Sequence, residues 1–192
     1  MKALKEAILR DGVGIGNDIV KVDSFLNHRI DVALSTQMGQ AFYEAFKDER
    51  VDCILTVEAS GIAVAITTAQ AFGGIPVVFA KKCDHRNVGH DVYTAQVYSF
   101  THQTMNTVRV SRKYLPAGAR VLIIDDFLAN GEAIEGLRSI VAQAGCELVG
   151  AGVCVEKGFQ PGGRKLREEG VKVVSLAIVD AIEDGYIRLR DD

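Results

Sequence analysis

Apolar positions along the chain switch repeatedly between helical spacing and short unbroken runs. Residues 2–10 put Ala3, Leu4, Ala7 and Ile8 on one face of a short amphipathic helix. Asp31 is placed to cap a helix running to about residue 47, with Leu34, Met38, Ala41, Phe42 and Ala45 inward. Residues 53–57 then read as a buried strand, and 62–72 as an Ala-rich helix that is apolar nearly all round, suited to the core or to a subunit contact. Gly73-Gly74 ends it, and 76–80 is a second strand. Residues 83–106 are polar and irregular, although 93–101 alternates as a strand and 108–111 could return antiparallel to it. Residues 121–124 are four aliphatics in a row, a strand buried on both faces. Ala133, Ile134, Leu137, Ile140, Val141 and Ala144 restore helical spacing up to Gly145. Strands at 148–155 and 171–178 enclose a charged helical turn at 164–169, and the acidic tail 179–192 shows no site. Strands alternating with helices in this way predict an α/β fold with a mostly parallel sheet.

Size and charge narrow the class. A chain of 192 residues, 48% of them hydrophobic, makes one domain with a sizeable core. A net charge of −3 argues against nucleic acid as the main partner. No apolar run approaches the roughly 20 residues that span a bilayer, and residues 1–6 carry no signal-peptide core. The cysteines at 53, 83, 146 and 154 form no CxxC pair, and Cys53 and Cys154 sit in apolar runs, as reduced core residues of a cytoplasmic protein do. Cys83, His85, His90 and Asp91 match no standard zinc spacing. Gly12, Gly14 and Gly16 invite a dinucleotide fingerprint, but the third Gly should fall at Asn17 and no strand precedes the first, so the stretch is read as a turn.

The chemistry concentrates where the 121–124 strand ends. Asp125 and Asp126 follow it, then a short loop through Asn130 and Gly131, then a helix. In an open parallel sheet such a corner lies at the carboxyl end of a strand, where ligands bind. Unpaired amides at the helix start favour a phosphate, and Gly131 lets the backbone come close to it. Adjacent carboxylates are acceptors, suited to two hydroxyls or, through water, to Mg²⁺. Phosphate cradle plus diol acceptor describes a ribose 5-phosphate. The loop Ala59-Ser60-Gly61 after the first core strand is a second corner open to an anion, with Ser60 near the helix cap, or else a plain turn. Lys81 and Lys82, ending the next strand, read either as cations for a diphosphate or as a solvated pair. Asn27 and His28 can read a base edge, or Asn27 can simply cap a surface turn. Lys157 can donate to a carbonyl oxygen and Phe159 can stack on a ring, but a Lys at a strand end is also commonly solvated.

The run Ile124-Asp125-Asp126-Phe127-Leu128-Ala129-Asn130-Gly131-Glu132-Ala133 resembles the phosphoribosyl diphosphate (PRPP) signature of type I phosphoribosyltransferases. Its wording is most similar to that of the bacterial xanthine phosphoribosyltransferases. The likeness covers nearly the whole chain, including Lys21-Val22-Asp23-Ser24-Phe25-Leu26-Asn27-His28 and Glu156-Lys157-Gly158-Phe159-Gln160-Pro161-Gly162. The resemblance implies a type I phosphoribosyltransferase fold, a single domain over 1–192 with a mostly parallel five-stranded sheet. It adds a hood from residues 1–35 and about 157–192, and a flexible flap at about 83–111. It implies transfer of phosphoribose from PRPP to xanthine, with Mg²⁺ bound along with PRPP, in a cytoplasmic homodimer. Residue by residue, it gives Asp125 and Asp126 the ribose hydroxyls, and Ala129, Asn130, Gly131, Glu132 and Ala133 the 5-phosphate. Ala59, Ser60, Gly61 and Lys81 take the diphosphate, Lys81 in preference to Lys82. Val20, Asn27, Lys157 and Phe159 take the purine.

Two departures accompany this likeness. Hypoxanthine-guanine phosphoribosyltransferases carry an Asp two residues before the motif Gly, proposed to deal with the N7 proton; here the position is Ala129. Glu132 adds negative charge beside the phosphate cradle, a conflict that an outward side chain would resolve. Two rivals compete with the xanthine reading. One is adenine phosphoribosyltransferase, although the adenine amino group is a poor partner for a Lys donor. The other is a PRPP-sensing transcription regulator on the same fold, for which this sequence offers no winged-helix segment and no basic patch.

Overall fold

The computed structural model describes residues 1–83, 91–99 and 104–191. Helix α1 (Lys2–Asp11) leads into a short antiparallel pair, β1 (Val13–Ile15) and β2 (Ile19–Lys21). The stretch read as a turn is therefore a small hairpin whose tip holds Gly16 at φ +57°. A wide helical turn, Asp23–Asn27, follows and buries Phe25 and Leu26. Helix α2 (Val32–Phe46) starts as expected, Asp31 accepting the Leu34 amide hydrogen at 3.0 Å.

The main sheet is built on strands β3 (Cys53–Val57), β4 (Val77–Cys83), β7 (Arg120–Leu128), β8 (Glu147–Lys157) and β9 (Val173–Glu183). All four pairings among them are parallel, in the order β4-β3-β7-β8-β9. Helices α3 (Gly61–Ala71), α4 (Glu132–Gln143) and α5 (Gly162–Glu168) supply crossovers. This is the expected parallel five-stranded core, extended at both edges by antiparallel strands. β5 (Val92–Ser99) and β6 (Thr104–Ser111) form a hairpin laid against β4, and β10 (Tyr186–Leu189) pairs with β9. The tail is thus structural: β10 closes one edge, and Arg190 bonds Asp180 at 2.6 Å. Of the expected flap, residues 84–90 and 100–103 lie outside the described residues, as do His85 and His90.

The order of strands follows from the residues. β7 alternates between two cores: Leu122 and Ile124 face one, Val121 and Ile123 the other. A strand buried on both faces must lie at the middle of the sheet. The first core, under α1, α2 and α3, is filled by Leu4, Ile8, Met38, Phe42 and Phe46. The second, under α4 and α5, holds Leu55, Leu115, Leu137, Ile140 and Leu166. α3 is less enclosed than its composition suggests, since Ile66 is 46% exposed. Cys53 and Cys154 are buried and unbridged, as their apolar surroundings implied.

Phe42 is fully buried in the first core. Phe42→Ala is expected to cost about 3–5 kcal/mol of stability, seen in urea unfolding as a lower midpoint with an unchanged slope.

Candidate active site

Two loops leave the carboxyl edge of the sheet at the point where the strand order reverses. From β3 the chain steps outward to β4; β7 lies on the other side of β3 and leads outward to β8 and β9. The loop after β3 and the loop after β7 therefore diverge, with α3 on one face and α4 on the other. That divergence opens a crevice.

The loop after β7 runs from Ala129 to Gly131, and Gly131 takes φ +96°, a conformation a side chain would strain. α4 begins directly after it without a side-chain cap; its first regular bond joins the Glu135 amide to the Gly131 carbonyl at 2.9 Å. The amides before Glu135 in that turn are thus left to a ligand or to water. A cavity of about 230 Å³ opens on this turn, lined by Ala129 to Ile134, by Val57 and Lys82, and by Tyr98 and Asn106 of the β5–β6 hairpin. Glu132, the first residue of α4, also borders it.

The two acids occupy different environments. β7 continues to Leu128, so Asp125 and Asp126 lie within the strand and do not follow it. Asp125 is 4% exposed and accepts the Asp126 amide hydrogen at 3.0 Å. Burial, and then the neighbouring Asp126 charge, push its pKa well above the usual 3.8, while Lys82 acts weakly in the opposite sense. Gly61 presses on it: a Cβ there would lie 2.6 Å from Asp125 Oδ1 and would also overlap the Thr56 hydroxyl. Thr56 Oγ1 itself is buried without a hydrogen-bond partner. Asp126, by contrast, accepts a bond from Asn27 Nδ2 at 3.1 Å. The wide turn 23–27 thereby meets the strand end across the sheet edge.

In the β3 loop, the Glu58–Ala59 peptide is cis, and Ala59 is exposed. α3 starts at Gly61, but the Ser60 side chain makes no cap bond. Glu58 Oε1 accepts the Lys82 amide hydrogen at 2.7 Å, tying this loop to β4. The lysine lining the cavity on the 129–134 turn is Lys82. Lys81 shares its face of β4 with Phe79, its ammonium 5.6 Å from that ring, and borders a separate groove with Arg109 and Tyr114. The run Val77–Ala80 is apolar without alternation, so the sequence held no cue to which lysine faces which way. Tyr98 and Asn106 were missed for another reason: they reach the cavity only through the packing of the hairpin.

Of the residues expected at the purine, Val20 is 7% exposed and packs into the first core from β2. Lys157, at the end of β8, donates to the Asp18 carbonyl at 2.6 Å, and burial lowers its pKa despite the nearby Asp18 charge. Phe159 is 38% exposed and borders a different cavity, with Arg164, Arg167 and Arg190. Asn27 therefore touches Asp126 directly, Lys157 touches the β1–β2 turn, and Phe159 stands apart from the cavity on the 129–134 turn.

Comparison with known proteins decides the family. The model of the phosphoribosyl transferase domain matches residues 22–185. The chain belongs to the phosphoribosyltransferase family. It is 53% identical to a xanthine phosphoribosyltransferase of Clostridioides difficile, over 99% of this chain and all of the relative. It is 54% identical to one of Ruminiclostridium cellulolyticum, over the full length of both. Among solved structures, adenine phosphoribosyltransferases of Leishmania tarentolae (TM-score 0.72, 18% identity, 92% of this chain and 87% of that one) and Rhodothermus marinus (0.71, 19%, 93% and 99%) share the fold.

A phosphoribosyltransferase handles PRPP, and members of the family generally take it with Mg²⁺. Among the described residues no group of three or more His, Cys, Asp or Glu side chains could hold a metal. The donor set present, with Asp126 as the more accessible carboxylate, fits a cation that brings most of its oxygen ligands with the diphosphate and water.

The raised pKa of Asp125 has a definite sign for stability. The folded state holds this proton more tightly than the unfolded chain, so the stabilisation is complete below pH 3.8 and is lost as pH rises through the folded value. Asparagine keeps the acceptor for the Asp126 amide without the buried charge. Asp125→Asn is expected to melt at a higher temperature than the parent at neutral pH, with the gap closing toward about pH 4. A thermal melting series across that range checks it.

Proposed function

We propose that this phosphoribosyltransferase transfers the 5-phosphoribosyl group of PRPP to xanthine, giving xanthosine 5′-monophosphate and diphosphate in purine salvage. The observation that carries the substrate is identity of about half along the entire chain with xanthine phosphoribosyltransferases. The adenine enzymes share the fold at far lower identity. The same reading makes the protein a cytoplasmic homodimer, for which the exposed Ile66 and Phe79 offer apolar contact area. No helix among the described residues is long and apolar enough to cross a membrane.

In this mechanism the turn 129–133 holds the 5-phosphate on its free amides. Asp126 accepts the ribose hydroxyls, and Asp125 stands behind it, orienting its backbone. The bond from C1 to the diphosphate loosens before the base closes in, and positive charge develops on the ribose. The Asp126 carboxylate favours that charge, while Lys81 and the amides of Ala59, Ser60 and Gly61 stabilise the departing anion. Mg²⁺, when bound with PRPP, supplies further charge neutralisation on the diphosphate. Lys157 donates to an oxo group of the purine, Asn27 bonds its edge, and Val20 and Phe159 flank the ring as the N- and C-terminal segments enclose it. The β5–β6 hairpin, which lines the phosphate cavity through Tyr98 and Asn106, screens it from water that would capture the ribosyl cation. Positioning and charge, without a covalent enzyme intermediate, provide most of the rate. With Ala129 where other purine enzymes have Asp, the acidity of xanthine itself eases loss of the base proton.

Turnover with PRPP and each of xanthine, guanine, hypoxanthine and adenine tests the assignment. Xanthine is expected to give the highest kcat/KM, and a clear preference for adenine overturns it. Lys157→Ala is expected to raise KM for xanthine roughly tenfold while leaving KM for PRPP nearly unchanged. Equal losses for both substrates would remove Lys157 from the base pocket.

A further inference from the structure

The loop that carries Lys157 and the loop that cradles the phosphate are joined by α5. Its first residue, Gly162, donates its amide hydrogen to the Ala129 carbonyl at 3.1 Å. The approach leaves no room for a side chain. A Cβ on Gly162 would overlap the Ala129 carbonyl oxygen and would lie 2.6 Å from both the Asn130 carbonyl carbon and the Gly131 nitrogen. Seen from the other side, a Cβ on Gly131 would meet Gly162 Cα at 3.4 Å.

The far end of α5 is fastened to β8 one residue before Lys157. Glu156 is 3% exposed, and Arg167 of α5 grips its carboxylate with both terminal nitrogens, at 2.8 and 2.6 Å. Ser175 of β9 donates to the same carboxylate. Burial alone would raise the Glu156 pKa, but the Arg167 and Ser175 hydrogen bonds more than offset it, and the group is held below its usual value. Gly163 leaves the space this carboxylate fills, since a Cβ there would overlap it. A second link runs from α5 to α4: Arg138 meets Glu169, just past the end of α5, at 2.6 Å, and Lys165 meets Glu135 at 3.7 Å.

We propose that α5 is the spacer fixing the distance between base and sugar phosphate, with Gly162, Glu156 and Arg167 as its positioning residues. None of the three is assigned a contact with either substrate. Their effect is exerted through the backbone of residues 129–131 and 157–160, whose relative placement decides whether the purine nitrogen reaches C1. The proposal rests on the functional reading above, because only a reaction between two separately held substrates needs such a gauge.

Gly162→Ala and Arg167→Gln test it, with Arg167→Lys as the conservative variant and Ser175→Ala as a milder perturbation should Gly162→Ala fail to fold. Both KM for PRPP and KM for xanthine are expected to rise by about fivefold or more in Gly162→Ala and Arg167→Gln, with Arg167→Lys recovering most of the loss. A purely structural role would lower the melting temperature and the active fraction while sparing both KM values. Amide hydrogen exchange in the ligand-free protein is the second readout, and exchange at residues 129–134 is expected to quicken in Arg167→Gln, far from the mutated side chain. Unchanged exchange there in every folded variant, or a change in KM confined to xanthine, overturns the proposal. Should the parent enzyme turn over no purine with PRPP, the functional reading falls instead, and the exchange measurement still decides whether α5 couples the two loops.

Discussion

Burial of β7 on both faces is the constraint from which the site follows. A strand whose odd and even positions both face apolar cores has no tolerance for an edge position, and its neighbours must be strands that are themselves covered. β3 and β8 fill that role. Once β7 stands beside β3, with β4 and β8 outward of them, the sheet reverses its order between the two strands whose loops carry Ala59–Gly61 and Ala129–Gly131. The anion-ready corners face one crevice because hydrophobic burial leaves no other arrangement, and the polar residues did not need to find each other.

The same burial differentiates the acids. Adjacent residues on a strand cannot share an environment, and here one carboxyl is sealed under Gly61 while the other meets Asn27. Two charges side by side in a partly dry site repel each other, and that repulsion adds to burial in raising the Asp125 pKa. The shift favours the protonated form of Asp125 and so lessens the charge carried by the pair. Glu132 is a further acid bordering the cavity on the 129–134 turn, and Lys82 lines the same cavity.

What the sequence disclosed, and what it withheld, divides along the range of the forces involved. The five parallel strands, the α2 cap at Asp31 and the Gly131 corner were all readable, because periodicity, capping and positive φ are set by neighbours a few residues away. The choice between Lys81 and Lys82 was not, because a strand apolar on both faces has no phase to read. The Gly12–Gly16 stretch that holds β1 was taken for a turn because the strand is only three residues long, and a three-residue alternation is indistinguishable from chance. The tail looked siteless for a similar reason. Its function is to supply an edge strand and to satisfy Asp180 through Arg190, and both depend on partners far along the chain or on the sheet as a whole.

The purine side follows a different logic from the phosphate side. Free amides at the α4 start wait for an anion, but Asn27 and Lys157 already have partners, in Asp126 and in the Asp18 carbonyl. A base that engages them must exchange one hydrogen bond for another, so the net gain is the difference between the two and not the whole of either. Lys157 is half-buried, and desolvation makes an ammonium without an acceptor costly; the Asp18 carbonyl supplies an acceptor. A purine that offers a carbonyl oxygen replaces that partner in kind. One that offers an amino group leaves a desolvated ammonium facing a donor, which costs far more than the absence of a contact. Under the proposed function, discrimination rests less on attraction to the right base than on the penalty of stranding Lys157 with the wrong one.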